Sequence, residues 1–366
     1  MIRPKLHLSE IYRTPPDKLN RSEYLRLDKN EQIEDIDKKL LMEILGKITP
    51  EFLSTYPLTY QLYEKLSKVY GIDQENIILS AGSDAAIRLV FDVFVDKGDE
   101  IILLDPTFAM YEVYGKLYGA RIKKIIYDSN LSLSIDNIVN SINENTKLIA
   151  IANPNSPTGT IIEPEDILKI LEKANKIGAA VLVDEAYYYY YKTTAADFIK
   201  DFDNLIVTRT FSKAFGMASI RLGFALAQSN TIDYLRKFRP MYEVNAFAIL
   251  FGSAVLENMD LMERSVLKAN EGKEYLTKEM KKLGLKTFKS YANFVLIEVG
   301  EKNSDPLARY MYERGILIKG GYPHIALKKC IRISLGDVPQ MKCVVDSINK
   351  YFKNYITGAK HDIFQE

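Results

Sequence analysis

One lysine in this chain stands in the setting that carbonyl chemistry needs. Residues Val207 to Phe224 read VTRTFSKAFGMASIRLGF, with Lys213 after the hydroxyls of Thr210 and Ser212, and Arg221 eight positions beyond it. Small residues at Ala214, Gly216, Ala218 and Ser219 let such a loop approach a ligand closely. The two hydroxyls and the forked guanidinium of Arg221 suit a phosphate. An amine among apolar neighbours and beside a second cation has its charged form disfavoured, which makes lysine a nucleophile toward a carbonyl. Among 49 Lys and Arg residues a lysine near an arginine says little alone; the residues upstream give it meaning.

Ala179 to Val183 is an apolar run of buried-strand length that ends on Asp184, followed by Glu185, Ala186 and Tyr187. A carboxylate at the end of a buried strand is costly unless paired, and a protonated pyridine nitrogen is one partner that would pair it. A further anion site is written at 76–94. A short strand, Asn76 to Ser80, is followed by Ala81-Gly82-Ser83-Asp84 and a helix to Phe94. A strand, a glycine turn and a helix start present open backbone N–H groups at the positive helix end. Ser and Asp are also ordinary caps there.

Asp184-x-Ala-Tyr187, then Ser212-Lys213 with Arg221, resembles the pyridoxal-phosphate enzymes of fold type I, the aspartate aminotransferase superfamily, and within it the histidinol-phosphate aminotransferase-like branch. The resemblance implies pyridoxal 5′-phosphate as cofactor. It puts Lys213 in Schiff-base linkage to the cofactor, Asp184 at the pyridine nitrogen and Tyr187 on the ring hydroxyl. Thr210, Ser212 and Arg221 fall around the phosphate, and Gly82, Ser83 and Asp84 join them there.

The same resemblance places the ring of Phe108, in Pro106-Thr107-Phe108, on the cofactor where relatives carry tyrosine. Phenylalanine keeps the stacking, worth roughly 0.5–1.5 kcal/mol, and lacks the hydroxyl. The family's Asn-Pro-Thr-Gly appears here as Asn153-Pro154-Asn155-Ser156-Pro157-Thr158-Gly159, so its asparagine position is Ser156 and an asparagine stands one earlier. Either Ser156 meets the ring hydroxyl, directly or through water, or Asn155 reaches in. Tyr56, in Tyr56-Pro57, is implied to reach the cofactor phosphate of a neighbouring subunit, which makes a homodimer with shared active sites the expected unit. Read alone, it is a turn tyrosine. Arg332 matches the family arginine that grips a substrate carboxylate. Lys319 stands where the family often has arginine, and binds anions as a point charge and not as a fork. Asn30-Glu31-Gln32 partly matches an Asn-Glu-Asn element that lies across the site mouth.

The implied reaction is ping-pong transamination of a small, phosphorylated amino or oxo substrate. Decarboxylation of a phosphorylated amino acid, of the phosphoserine or phosphothreonine type, keeps the same lysine, aspartate and phosphate contacts and stays open as the alternative.

The elements that must position these groups follow from periodicity. Strands are expected at 76–80, 100–105, 121–127, 147–152, 179–184 and 205–207, with helices at 37–47, 58–70, 81–94, 111–118 and 163–176. This alternation predicts an α/β fold with a mostly parallel sheet covered by helices on both faces, seven-stranded by the resemblance. The candidate groups fall at or just after the C-terminal ends of strands, where such sheets bind ligands. From 228 to 283 the pattern is helical. Strands at 285–288, 294–299, 317–318 and 330–335, with helices at 306–314 and 344–352, give a smaller α+β unit. The expected organisation is an N-terminal arm (1–36) that joins this unit, a large cofactor-binding domain (37–250) and a small C-terminal domain (251–366).

Composition excludes several classes. The formal net charge of the 366 residues is +1, which gives no electrostatic case for nucleic acid. Without an added DNA-binding unit, a cofactor-sensing regulator does not fit. No run approaches the ~20 apolar residues of a membrane span. The first residues lack the apolar core of a signal peptide, and two cysteines, Cys330 and Cys343, suit a reducing, cytoplasmic setting. His7, His324 and His361 are too scattered for a histidine metal site, so no metal is expected. No Gly-x-Gly-x-x-Gly follows a strand, which removes a Rossmann dehydrogenase.

Overall fold

The computed structural model describes residues 8–9, 11–13 and 18–362, with side chains through 353. Expectations that touch other positions, the side chains of His7 and His361 among them, lie outside the described residues. The chain enters through a two-residue strand, β1 (Leu25–Arg26), and helices α1 (Lys38–Leu45), α2 (Pro50–Ser54) and α3 (Tyr60–Tyr70). Asp37 caps α1 by accepting from the Leu40 amide, and Gly71 closes α3 in the left-handed region at φ 63°.

Strands and helices then alternate: β2 (Ile77–Ser80), α4 (Ser83–Phe94), β3 (Glu100–Asp105), α5 (Ala109–Tyr118), β4 (Arg121–Ile126), α6 (Ile135–Ser141), β5 (Thr146–Ala152), α7 (Pro164–Asn175), β6 (Ala180–Asp184), β7 (Leu205–Thr210) and β8 (Gly223–Leu226). They form one seven-stranded sheet in the order β2-β8-β7-β6-β5-β3-β4. Strands β3 to β7 run parallel, whereas β8 is antiparallel to both β7 and β2. Parallel neighbours need a crossover, usually a helix. Between β7 and β8 there is only the loop that holds Lys213, so β8 returns alongside β7.

The central strands are apolar on both faces, as a covered parallel sheet requires. Val181, Val183, Leu205 and Val207 pack in one layer with Ile167, Ile170 and Leu171 of α7. Leu182 and Ile206, of opposite parity, pack with Leu89 and Val90 of α4. This alternation fixes which face each residue at the strand ends takes.

Beyond the sheet come α8 (Ser229–Phe238), α9 (Ala246–Glu257), α10 (Met259–Lys282), β9 (Lys286–Thr287), β10 (Phe294–Glu298), α11 (Glu301–Tyr312), β11 (Ile316–Leu317), β12 (Cys330–Ser334) and α12 (Val338–Asp362). The antiparallel order is β12-β10-β9, and β1 of the arm pairs in parallel with β11. The arm then continues past β11 to β12, where the Ser334 amide donates to the Leu27 carbonyl.

Some boundaries differ from the sequence reading. Helix α11 starts at Glu301 and carries Pro306 inside it. Helix α12 starts at Val338, because Asp337 and Gln340 cap each other's amides reciprocally. Helices α2 and α6 had no expected counterpart; Thr49 and Ser134 cap them by accepting from Phe52 and Asn137 amides. The domain boundary expected at residue 250 falls inside α9.

Candidate active site

A cavity of about 560 Å³ opens beyond the C-terminal ends of β5, β6 and β7. Lys213 reaches it from the β7–β8 loop, and its Nζ donates to the Lys29 carbonyl of the arm at 3.1 Å. Asp184, the last residue of β6, lines the same space with Tyr187, Phe108, Ser156, Thr210, Ser212, Arg221, Lys319 and Arg332.

Asp184 is buried. Its Oδ1 accepts from Thr208 Oγ1 at 3.0 Å and its Oδ2 from Tyr111 Oη at 3.1 Å. Burial pushes its carboxyl up to about 6, and the nearby charge of Asp84 adds to that; the hydroxyls of Thr208 and Tyr111 and the Ala186 amide act the other way. All three donors are neutral, and among the described residues no ion pair reaches the carboxylate.

The expected anion cradle lies where α4 begins. Gly82 is its N-cap, at φ 86°, with no side chain bonded to the first turn. The Arg221 guanidinium lies against this glycine: a Cβ at Gly82 would sit 2.5 Å from Nη2. Arg221 Nη1 donates to Ser212 Oγ at 3.3 Å and to the Ala218 carbonyl at 3.1 Å. The Ser212 amide in turn bonds Thr210 Oγ1 at 3.1 Å. A Cβ at Gly223 would meet the Ser83 amide nitrogen at 2.3 Å, so β8 passes this turn with no space between them. Ser83 and Asp84 line the cavity. Asp84 carries a carboxylate there, so an anion at this turn would be met by its helix-start amide and not by its side chain.

The opposite wall is the arm. Asn30, buried and at φ 55°, donates from Nδ2 to Tyr187 Oη at 2.8 Å, and Ser334 Oγ donates to its Oδ1 at 3.2 Å. Its carbonyl accepts from Asn293 Nδ2 at 3.0 Å. Arg21 pairs with Asp28 and, at 2.8 Å, with Glu31. Burial resists ionisation of Glu31, but the bond to Arg21 and the charges of Arg21, Arg26 and Lys213 outweigh it and hold its carboxyl below the usual range. Arg332 Nη2 donates to the Asp28 carbonyl at 2.6 Å, and Lys319 and Arg332 exchange both backbone hydrogen bonds. The two cations therefore enter the cavity side by side.

Residues 18–348 match the family model for aminotransferase class I and II. The chain belongs to that family. It is 35% identical over 330 residues to a histidinol-phosphate aminotransferase of Clostridium novyi, covering 88% of this chain and 90% of that one. Among solved structures it resembles a histidinol-phosphate aminotransferase from Sinorhizobium meliloti in complex with pyridoxal-5′-phosphate (TM-score 0.87, 20% identity, 97% of this chain and 99% of that one). It also resembles an L-threonine-O-3-phosphate decarboxylase from Porphyromonas gingivalis (TM-score 0.76, 20% identity, 90% and 99%). At these identities the two structures attest the fold.

In this aminotransferase one expected contact needs correction. Asn155 does not line the cavity. It is buried, its Nδ2 donates to the Pro106 carbonyl at 3.0 Å and to Thr158 Oγ1 at 2.8 Å, and its Oδ1 accepts from Thr107 at 2.7 Å. Its side chain thus ties two loops together, and Ser156 lines the cavity instead. Tyr56 is 69% exposed, lies outside its own chain's cavity and stacks on Tyr242 with ring centroids 4.1 Å apart. Thr208 and Tyr111, the donors to Asp184, were missed. Thr208 shares strand parity with Thr210 and pairs with Asp184 across β6 and β7, a signal available once the strands are registered. Tyr111 carried none, being one of 24 tyrosines. Among the described residues no cluster of His, Cys, Asp and Glu fits a metal ion, and no helix is long and apolar enough to cross a membrane.

Proposed function

We propose that this aminotransferase works with pyridoxal 5′-phosphate on a small phosphorylated amino or oxo substrate; its relatives are named histidinol-phosphate aminotransferases. The residues present fit the cofactor. Asp184 is a buried carboxylate with neutral donors only, and a protonated pyridine nitrogen supplies its missing charge. The Gly82–Arg221 cradle leaves no room for a side chain and presents a guanidinium and helix-start amides to a phosphate. Phe108 offers a ring for stacking from the cavity wall.

When bound, the cofactor supplies an electron sink for the bond broken at the substrate's α-carbon. The chain does the rest. The Lys213 amine, opening on the cavity, would take and return the α-proton, and Asp184 would hold its negative charge against the ring nitrogen. The Tyr187 hydroxyl, held by Asn30, would bond the ring hydroxyl. Arg332 and Lys319 grip the anionic groups of the substrate. The arm segment 28–31 forms one wall of the cavity and would limit the access of water to the reacting carbon.

An exposed apolar face that carries Leu53, Tyr56, Leu58, Tyr60 and Met241 supports a homodimer in which Tyr56 reaches the neighbour's phosphate. Two unpaired cysteines support work in the reducing cytoplasm.

The observation that carries the reading is that Lys213 and Asp184 open on one cavity, ringed by cations and by an anion cradle. The Lys213→Ala variant is expected to lose both the visible band of the lysine-bound cofactor and all turnover, and a variant that keeps turnover refutes the assignment. Incubation with phosphorylated amino acids then separates the two chemistries. Amino transfer to 2-oxoglutarate without carbon dioxide supports the proposal, and release of carbon dioxide replaces it with decarboxylation.

A further inference from the structure

Behind the cavity, on the other face of the sheet, lies a charged pair that the proposed chemistry does not use. Glu185 follows Asp184, and Arg209 stands between Thr208 and Thr210. Strand alternation sends Asp184, Thr208 and Thr210 to the cavity side and Glu185 and Arg209 to the opposite side. There Arg209 donates from Nε and Nη2 to Glu185 Oε2 at 3.0 and 2.8 Å, with the two side chains 4% and 0% exposed. Both oxygens of Glu185 also accept from Thr194 Oγ1 at 2.8 Å, and Oε1 accepts from the Ala195 amide at 2.6 Å. The guanidinium lies between the rings of Tyr70 and Tyr188, 4.8 and 3.8 Å from their centroids.

Fold stability is a poor reason for such a pair. Removing two charges from water costs about what their attraction returns, and apolar residues of similar size often serve as well. What the pair does that an apolar contact does not is fix direction: a two-pronged bond sets the relative position of two strand ends. Its neighbours are the groups that need it. Asp184 pairs in register with Thr208, and the Glu185 amide donates to the Thr208 carbonyl at 2.8 Å. Of the three donors on the Asp184 carboxylate, Thr208 adjoins Arg209 and Ala186 adjoins Glu185.

We propose that the buried Glu185–Arg209 pair is a positioning clamp that aligns the ends of β6 and β7, so that Asp184 and Thr210 present their side chains to the bound cofactor at the right height. This inference rests on the cofactor reading given above, and the wild-type protein tests that reading separately. The clamp predicts that strand ends held only by apolar packing slip, with Asp184 less well aimed at the ring nitrogen.

The experiment compares the wild type, the apolar double variant Glu185→Leu/Arg209→Met, and Arg209→Lys, which keeps the charge and loses the fork. Each is unfolded in denaturant without cofactor, titrated with pyridoxal 5′-phosphate, and then followed for the pH midpoint at which the visible band of the bound cofactor titrates. The clamp predicts a double variant that still folds, a cofactor Kd at least 10-fold weaker, and a displaced pH midpoint. It predicts the same direction at smaller size for Arg209→Lys. Wild-type affinity and midpoint in a folded double variant overturn the proposal. Should that variant not fold, an unmoved midpoint in Arg209→Lys overturns it equally. A wild-type protein that takes up no cofactor overturns instead the functional reading on which the clamp rests.

Discussion

Replacing Asp184 with asparagine is expected to act in opposite directions on the empty and the loaded protein. Without cofactor, the buried carboxyl has risen from its ordinary 3.8 to about 6. At about 1.4 kcal/mol per pH unit, the ionised form costs the folded protein about 3 kcal/mol at pH 7.5 relative to the unfolded chain. The sign follows from proton counting. Between about pH 4 and pH 6 the folded state keeps a proton that the unfolded chain has released, so this group makes stability fall as pH rises through that window and stay level above it. Asparagine keeps the shape and removes the charge. Its carbonyl accepts from Thr208 or Tyr111, and the other hydroxyl must turn to accept from its NH2 group, a loss of about 1–2 kcal/mol. The cofactor-free variant at pH 7.5 is therefore expected to be about 1–2 kcal/mol more stable than the wild type. Binding pyridoxal 5′-phosphate reverses the sign, because the cationic ring then lacks its counterion, and Kd is expected to rise by roughly 100-fold, about 3 kcal/mol. The assay is denaturant unfolding of both proteins, cofactor-free, from pH 4 to pH 7.5, with a cofactor titration at pH 7.5. A wild-type-minus-variant stability difference that is flat with pH, or a variant as destabilised empty as loaded, refutes the reasoning.

Three other outcomes follow from the geometry. Gly82→Ala forces a Cβ against Arg221 at a positive φ, costing about 1–3 kcal/mol; pyridoxal 5′-phosphate should bind at least 10-fold more weakly while pyridoxal without its phosphate is unaffected, and equal losses for both ligands would sink the cradle. Asn30→Ala strips buried Tyr187 and Ser334 of a partner and should cost about 1–3 kcal/mol in urea unfolding; an unchanged midpoint would show that the arm is not held there. Mixed and refolded Tyr56→Ala and Lys213→Ala subunits should recover about a quarter of wild-type activity if each site borrows its tyrosine across a two-fold interface, and none if Tyr56 serves its own chain.

Much of this site could be read in the sequence because its chemistry sits at the ends of strongly patterned strands. Val181 to Val183 and Leu205 to Val207 are apolar without a break, so the strands and the carboxylate that ends one of them were visible from composition alone. The antiparallel run of β8 was not, since it depends on what the Lys213 loop does in space. Asn155 misled for a related reason. An asparagine beside a proline turn looks the same in sequence whether it reaches a ligand or ties Thr107 to Thr158. Asn30 was legible as part of the arm, but its bond to Tyr187 spans 157 positions, and no local pattern encodes such a contact. The pairing of Glu185 with Arg209 was hidden behind its neighbours. Each lies one residue from a group with evident chemistry, on the face that the chemistry does not use.

The closing of the cavity by Asn30 against Ser334, 304 positions apart, has a bearing on how the protein is born. A chain emerging from the ribosome can set its seven-stranded sheet in order soon after β8 appears, since domains fold as units from the N-terminus. Segment 25–31 of the arm can by then meet Tyr187 and Lys213, but its pairing with β11 and its bonds to β12 must wait until those strands have been synthesised. Products truncated ahead of residue 330 are thus expected to keep Lys213 and Asp184 but to lack the wall that Arg332 completes, so the cavity gains its full lining only near the end of translation.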